Sequence, residues 1–307
     1  MQIYQQQLSE YIKELGFDHV GYAELRSLDK ESSRLQDWLD KGFHGEMSYM
    51  ERYLDFRRDP RLLVPGAISV IVLIHNYYPE ATQINSDLAK IAKYAYGKDY
   101  HKVLRKKLKE IEKWIKTNTT CKVLRYFVDS GPVLEREWAK ETGLVWNGKN
   151  TLSIHPHMGS YFFLSCIFTD LEFDYGTPIK DYCGTCTRCI DACPTNAIDS
   201  KGYVLNASKC ISYLTIEKKS EIDPSFKGQL DNWIFGCDVC QEVCPWNRFS
   251  KTHNEPDFKP LDGLLQKSTE DWLQMTVEEF EQGFSNSPLK RKGLGGFQDT
   301  ARFLSEK

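Results

Sequence analysis

The chain has 307 residues, of which 41% are hydrophobic, and its formal net charge at pH 7 is −3. It is longer than the roughly 100 to 200 residues of one ordinary domain, so we expect a two-part architecture. The acidic balance excludes a general attraction to nucleic acid, and no apolar run approaches the roughly 18 residues that cross a bilayer. Because the first residues, Met1–Gln7, are polar and unlike a secretory leader, we expect a soluble, cytoplasmic protein.

Helices and strands are predicted to alternate over residues 1–175. Apolar residues at positions 8, 11, 12 and 15 have helical spacing, and Gly16 can end that helix. A basic helix is expected at 101–115. Strands are expected at 20–23, 67–74, 122–128 and 161–168. This pattern indicates an α/β or α+β domain that can hold a substantial ligand.

The segment Phe127–Arg136 joins a predicted strand to a predicted helix. Gly131 frees the loop geometry, and Pro132 suits a first helical turn. One hypothesis is that Asp129 or Ser130 caps the helix, which is a common role for these residue types. The other is that Asp129 lies at the mouth of a pocket, where desolvation keeps its carboxyl protonated and makes it a general acid.

Two loops and two basic runs are weaker signals. The loops 94–101 and 153–160 contain histidines, which we interpret as hydrogen-bonded structural residues. The basic runs 102–109 and 290–292 are candidates for phosphate contacts, although a solvated helix face explains the first run equally well.

Eight of the ten cysteines lie between residues 183 and 244. Their spacing, Cys183-x2-Cys186-x2-Cys189-x3-Cys193-Pro194, then Cys210, then Cys237-x2-Cys240-x3-Cys244-Pro245, is similar to that of bacterial ferredoxins with two [4Fe–4S] clusters. In those proteins the cysteine before the proline binds the other cluster. The first predicted ligand set is therefore Cys183, Cys186, Cys189 and Cys244, and the second is Cys193, Cys210, Cys237 and Cys240.

Zinc and disulfides are the alternative uses of these cysteines. Structural zinc usually takes two separated pairs of ligands, unlike three thiols at successive x2 gaps. Disulfides do not suit a chain without a secretory segment. Cys121 and Cys166 lie in apolar runs and are interpreted as small buried hydrophobes. The array thus indicates single-electron transfer.

Several strings, in order along residues 10–295, resemble the epoxyqueuosine reductase family. They are His44–Met47, Tyr94–His101, Val128–Arg136, the cysteine array, Cys210–Glu217 and Gly236–Phe249. The resemblance implies reduction of epoxyqueuosine to queuosine at the wobble position of tRNA, a change of two electrons and two protons. It also implies cobalamin, two [4Fe–4S] clusters, a nitroreductase-like N-terminal sheet and an electron donor such as a ferredoxin or flavodoxin.

The resemblance also implies roles for individual residues. Asp129 occupies the family's proton-donor position. The family's corrin contacts match Arg52, Asp129, Ser153, Leu164 and Ser212. Ser212 is two residues from Cys210, so the second cluster would lie beside the corrin. The stretch 99–104 lacks the glycine of the Asp-x-His-x-x-Gly motif, so we expect no histidine ligand to cobalt.

The expected fold class is α+β in three segments. These are an α/β cobalamin- and substrate-binding domain (1–175), a ferredoxin-type domain with two clusters (176–250) and a short helical segment (251–307). Longer family members carry a C-terminal helical-repeat region that grips tRNA, which we expect this chain to lack, and we expect a monomer. Two rival functions are a dehalogenase-like corrinoid reductase, although a twin-arginine leader is not seen, and a ferredoxin-type electron carrier.

Overall fold

The computed structural model describes residues 3–83 and 88–306, so Met1 and Gln2, part of the polar start noted above, lie outside it. The helices are α1 (Ile3–Glu14), α2 (Asp29–Asp40), α3 (Leu54–Arg58), α4 (Pro60–Leu63), α5 (Tyr100–Asn118), α6 (Glu135–Glu141), α7 (Arg188–Asp191), α8 (Ile211–Ile216), α9 (Val239–Glu242), α10 (Thr269–Gln274), α11 (Val277–Phe284) and α12 (Gly293–Ser305). The strands are β1 (His19–Glu24), β2 (Ser69–Asn76), β3 (Lys90–Ile91), β4 (Leu124–Phe127), β5 (Trp146–Asn147), β6 (Ser153–Ile154), β7 (Phe162–Thr169) and β8 (Trp233–Phe235).

The central sheet is antiparallel, with the strand order β1-β2-β7-β4. Its strands confirm the four predicted from apolar runs, and α1 and α5 confirm the two predicted helices. Gly16 follows α1 with a φ of 91°, in the left-handed region that favours glycine. The fold class is therefore α+β, as predicted.

Strand β2 is buried along its whole length because the sheet is covered on both faces. Side chains alternate between the faces of a strand. Ile71 and Leu73 accordingly pack in one apolar cluster with α1 and α5, whereas Val70 and Val72 pack in another with Trp138 of α6. This double burial explains why the sequence of β2 is continuously apolar.

A second core joins the cysteine-rich region to the C-terminal helices. Strand β3 pairs in parallel with β8, although the two lie in different predicted segments. Phe235 of β8 stacks on Phe297 of α12 at 5.5 Å, and Phe297 stacks on Trp272 of α10 at 4.4 Å. The helices expected between residues 251 and 307 are present as α10, α11 and α12. The segment boundaries themselves stay a prediction.

No helix in the described parts of the chain is both long enough and apolar enough to span a bilayer.

Replacing Trp272 by Ala should lower the free energy of unfolding by about 3 to 5 kcal/mol, because the fully buried indole would leave a cavity. Urea unfolding of the purified protein, followed by circular dichroism, measures this loss. Val277→Ala is the control, since Val277 is 61% exposed and its truncation should cost less than about 0.5 kcal/mol. Equal losses in the two variants would show that α10 is not part of the core.

Candidate active site and cysteine loops

Asp129 lies in the loop that follows β4, and its φ of 53° is in the left-handed region. Aspartate tolerates this conformation better than most residues. The turn is closed locally, since the Ser130 amide donates to the Val128 carbonyl at 2.6 Å. The next helix, α6, starts only at Glu135, and its N-cap is Leu134 without a side-chain hydrogen bond. The hypotheses that Asp129 or Ser130 caps this helix and that Pro132 lies in its first turn are therefore wrong.

Asp129 is held by the start of α5. The Tyr100 hydroxyl donates to Asp129 Oδ2 at 2.5 Å. His101 Nε2 lies 3.6 Å from the same oxygen, which is an ion-pair distance and longer than a hydrogen bond. On its other side, His101 Nδ1 is 2.8 Å from Asp99 Oδ1, and Asp99 also caps α5 by accepting the His101 amide. Two carboxylates thus hold one imidazole.

These contacts lower the pKa of Asp129 and raise the pKa of His101. Removal from water raises the pKa of the Asp129 carboxyl, but the interactions with His101 and Tyr100 outweigh that effect and hold it below its ordinary value. Burial lowers the pKa of His101, yet Asp129 and Asp99 together raise it to about 9. The hypothesis that desolvation keeps Asp129 protonated is therefore wrong for this structure. At neutral pH the proton is on His101.

The Asp129 side chain is 60% exposed, and we call the exposed region around it, beside the start of α5, the cleft. Arg291 and Glu217 form an ion pair of 2.7 Å at the rim of this cleft. Burial raises the pKa of the Tyr49 hydroxyl, and the carboxylates of Glu217 and Asp129 raise it further. These four groups therefore share one electrostatic environment.

The basic runs are partly neutralised within the chain. Lys107, from the first run, lies 2.7 Å from Glu255. In the second run, Arg291 is paired with Glu217 and Lys290 with Glu281. Fewer of these cations are free for phosphate than their number in the sequence suggests.

The predicted corrin contacts are distributed over several elements. Arg52 is exposed after the turn Ser48–Glu51, and Ser212 is half-buried in α8. These two elements meet where the Tyr213 hydroxyl accepts the Glu46 amide at 2.7 Å.

The other two predicted contacts lie on the sheet side of the molecule. Ser153 is buried and its hydroxyl donates to Asn147 at 3.1 Å. Leu164 packs against the cluster that contains Phe127. The hydrogen bond and the ion pair that the described residues make to Asp129 come from Tyr100 and His101, and not from Ser153 or Leu164.

The cysteines of the first predicted set line one cavity of about 80 Å³, together with Lys149 and Trp246. Burial raises the pKa of the Cys189 thiol to about 11, with further contributions from Cys183, Cys244 and Cys186. Cys244 therefore lies with the first three cysteines, although it is far from them in sequence. No group of three or more His, Cys, Asp or Glu side chains in residues 3–83 and 88–306 is arranged to hold a single metal ion.

The second set is grouped in the same way. Burial raises the pKa of the Cys237 thiol, and the nearby Cys210 and Cys193 raise it further. Burial is also the main cause of the raised pKa of the Cys240 thiol, and Cys237 and Cys210 raise it further. The structure thus brings each predicted set together, while the binding of a cluster by each set stays a prediction.

The remaining two cysteines lie apart from these sets. Cys166 is fully buried in β7, and Cys121 is half-buried with its Sγ 3.2 Å from the Val123 carbonyl. Their interpretation as packing residues is confirmed for Cys166 and consistent with the position of Cys121.

Polar contacts fasten the cysteine loops to the sheet domain. Lys149 Nζ donates to the carbonyls of Gly184 at 2.7 Å and Cys186 at 3.0 Å. Asn247 follows Cys244-Pro245 in the chain, and its Oδ1 accepts a hydrogen bond from the Ser160 amide at 2.7 Å. The loops are therefore positioned by residues outside the cysteine array.

Comparison with known proteins identifies the family. A family model described as a 4Fe-4S double cluster binding domain matches residues 182–247, and one described as epoxyqueuosine reductase QueG matches residues 57–130. An epoxyqueuosine reductase from Cyclobacterium marinum is 52% identical over 94% of this chain and 93% of its own length. The chain belongs to the epoxyqueuosine reductase family. The family member from Escherichia coli K12 is 38% identical over 94% of this chain and 77% of its own length.

Solved structures of family members have the same fold. The crystal structure of an epoxyqueuosine reductase with an epoxyqueuosine-modified tRNA-Tyr stem loop superposes with a TM-score of 0.90, at 30% identity, over 99% of this chain and 81% of that one. The Bacillus subtilis enzyme, with its catalytic aspartate loop swung out of the active site, has a TM-score of 0.89 at 30% identity over 99% of this chain and 82% of that one.

Sequence reasoning identified Asp129 but missed Tyr100, His101 and Glu217. The sequence did contain a signal for Tyr100 and His101, because they directly follow Asp99, and aspartate is a typical N-cap residue that fixes the start of a helix. Glu217 carried no such signal, because its pairing with Arg291 depends on the tertiary fold.

The shared imidazole predicts a specific titration. Replacing Asp129 by Asn should lower the pKa of His101 from about 9 towards its ordinary value of 6.5, because one of the two carboxylates is lost. The native imidazole is protonated below pH 9 and neutral above it, so the variant should lose its proton at lower pH. NMR of the His101 ring as a function of pH measures this.

The matched control is Asp299→Asn, which removes a carboxylate from the exposed Asp299–Arg302 pair on α12. It should leave the His101 titration unchanged. If His101 still titrated near pH 9 in Asp129→Asn, the ion pair would be refuted.

Proposed function

We propose that this protein reduces epoxyqueuosine in tRNA to queuosine. The observation that carries the proposal is its 52% identity to an epoxyqueuosine reductase along nearly the whole of both chains. In the reaction, two electrons and two protons enter, the two epoxide C–O bonds break, a C=C bond forms and the oxygen leaves as water. The substrate is supported by the related structure with an epoxyqueuosine-modified tRNA stem loop.

Two [4Fe–4S] clusters, one in each cysteine set, would carry the electrons. Each set supplies the four thiolates that such a cluster requires. The family model for a double cluster domain, which spans both sets, supports this count.

Cobalamin would be held in the cleft beside Asp129, with Arg52 and Ser212 on one side and Ser153 and Leu164 towards the sheet. Polar atoms that lack partners support a polar-edged ligand near this region. Arg57 Nε and Glu135 Oε1 are buried without a hydrogen-bond partner in the described residues. A donor and an acceptor of this kind suit the amide side chains of a corrin. When bound, cobalamin supplies a strongly reducing Co(I) state that iron–sulfur chemistry alone lacks.

Asp129 would deliver a proton to the epoxide oxygen, and His101 would supply that proton. Asp129 is ionised in this structure, so it must first accept the proton held on His101 Nε2, 3.6 Å away. Transfer through Asp129 prevents an alkoxide from leaving unprotonated, which is the usual benefit of general acid catalysis. The Bacillus subtilis relative also carries its catalytic aspartate on a loop, which supports this assignment.

The two rival functions are not favoured by any specific observation, since the family is shown by relatives that match nearly the whole chain. We further infer that the protein acts in the cytoplasm, where tRNA is modified, as a monomer that receives electrons from a ferredoxin or flavodoxin.

Asp129→Asn should lower the rate of epoxyqueuosine reduction by about 10² to 10⁴, the usual contribution of a positioned acid. The assay is nucleoside analysis of tRNA after incubation with the reconstituted enzyme, cobalamin and dithionite. Visible spectra of the corrin and the clusters should stay nearly unchanged. Asp299→Asn serves again as the control, and full turnover by Asp129→Asn would rule out the proton-donor role.

The crossed ligand scheme is tested with three single variants. Cys186→Ser and Cys240→Ser serve as references that damage the first and the second cluster, respectively. By the scheme, Cys193→Ser should reproduce the EPR change and the iron loss of Cys240→Ser, because Cys193 lies with Cys210 and Cys237. A spectrum like that of Cys186→Ser would show that the ligands are not crossed.

A further inference from the structure

The described structure contains a groove of about 1120 Å³, and Asp129 is not among the residues that line it. Its lining includes Tyr78, Tyr161, Arg188, Trp233, Cys244 and Arg248, and we call it the Cys244 groove. We propose that a small acidic protein that carries single electrons docks over this groove to reduce the first cluster. The inference rests on the proposed function, because it names the partner that feeds the cysteine loops.

The groove is separated from the first cysteine set by a single wall. Arg188, Cys244 and Pro245 line both the groove and the smaller cavity that contains the four thiols. Cys244 therefore faces both spaces. An electron carrier on the groove would be separated from a cluster in that cavity by one layer of side chains.

Four cations line the groove, and carboxylates neutralise two of them. Lys93 pairs with Glu242 at 2.5 Å and Lys90 with Asp231 at 2.8 Å. By contrast, Arg188 and Arg248 are exposed and have no carboxylate within 4.0 Å in the part of the chain that the structure describes. These two arginines are the free positive charges beside Cys244.

Arg248 is held in place before any partner arrives. Its guanidinium lies 4.3 Å from the centre of the Phe249 ring and 5.9 Å from that of Trp246. Its Nη1 donates to the Pro245 carbonyl at 3.2 Å. Because the charge is already positioned, less side-chain entropy is lost when a carboxylate binds it.

The groove lining has two carboxylates against four cations, and one of the two, Glu242, is paired with Lys93. The other is Asp191, whose carboxylate accepts a hydrogen bond from the Thr187 hydroxyl at 2.7 Å. Lys149 adds a third cation on the neighbouring cavity, where its ammonium binds two backbone carbonyls. The face is therefore locally positive although the whole chain has a net charge of −3.

A protein is the occupant that these features favour. Arginine and aromatic side chains are enriched in protein interfaces, and Tyr182, 41% exposed, lies with Trp246 at the edge of the thiol cavity. Redox partners typically form small, transient interfaces that rely on charge complementarity. The tRNA substrate must instead reach Asp129, which does not line the groove.

The test compares two reductants with the reconstituted holoenzyme. Stopped-flow absorbance at cluster wavelengths follows reduction by reduced flavodoxin, which is an acidic carrier, and by dithionite, which needs no docking site. In the double variant Arg188→Glu, Arg248→Glu, reduction by flavodoxin should slow about tenfold or more and should no longer fall as salt is added, because the attraction that steers the carrier becomes a repulsion. Reduction by dithionite should be unchanged.

Two further variants serve as controls. Arg188→Lys with Arg248→Lys keeps both charges and should retain most of the flavodoxin rate. Lys113→Glu reverses one charge in the same way on the exposed face of α5, away from the groove lining, and should leave the rate unaltered.

Several results would overturn the proposal. An unchanged flavodoxin rate in the charge-reversed variant would mean that the carrier docks elsewhere. Equal slowing with dithionite would show damage to the cluster, and equal slowing with free reduced flavin mononucleotide would identify a small-ligand site. Weakened tRNA binding with normal flavodoxin reduction would assign the groove to tRNA. Conversion of epoxyqueuosine with dithionite tests the proposed function separately, since it bypasses the carrier.

Discussion

The chemistry of the cleft depends on how residues 97–101 are held at the start of α5. Asp99 caps this helix and binds His101, which in turn pairs with Asp129. Two backbone hydrogen bonds from the C-terminal region hold this segment. The Asp99 amide donates to the Asn286 carbonyl at 2.6 Å, and the Lys98 amide donates to the Asp257 carbonyl at 2.8 Å. The C-terminal region thereby sets the position of an imidazole that lies far from it in sequence.

Close packing at Gly97 shows how tight this contact is. A Cβ atom added there would lie 2.5 Å from the Asp257 carbonyl oxygen and 2.6 Å from Phe258 Cα. Only glycine lets the two backbones approach so closely. A larger residue would move the start of α5, and with it the Tyr100 and His101 side chains that hold Asp129.

Helix α8 links the cleft to the cysteine loops. Cys210 is its N-cap residue, and Glu217, which pairs with Arg291 at the rim of the cleft, is its C-cap residue. Six helical residues span about 9 Å. Cys210 is separated in sequence from the other cysteines, which departs from the ferredoxin repeat. This separation places one member of the second set on α8, the helix whose other end lies at the rim of the cleft.

Local patterns predicted the parts of the fold that local physics determines. The apolar runs of β2 and β7 and the helical period of α1 were readable because those elements bury apolar side chains along their length. The two-residue strand β3 was not, since its pairing with β8 depends on contacts distant in sequence. The grouping of the cysteines was predicted because a known geometry constrains their spacing.

The cleft was harder to predict because the protonation and position of its residues depend on contacts between elements that are distant in sequence. Gly131 and Pro132 suggested an early helix start, but the left-handed Asp129 makes a separate turn first. Burial alone would raise the pKa of Asp129, and the tertiary contacts with His101 and Tyr100 reverse that shift. A protonation state cannot be read from one strand and one loop when its partner comes from another helix.

Protons and electrons would reach the substrate from different directions. The proton is held by His101 on α5, whereas the thiols that would carry electrons lie in loops beyond α8. Since the Cys244 groove does not include Asp129, a carrier and a tRNA need not compete for one surface. The tRNA can then stay bound while single electrons arrive in succession.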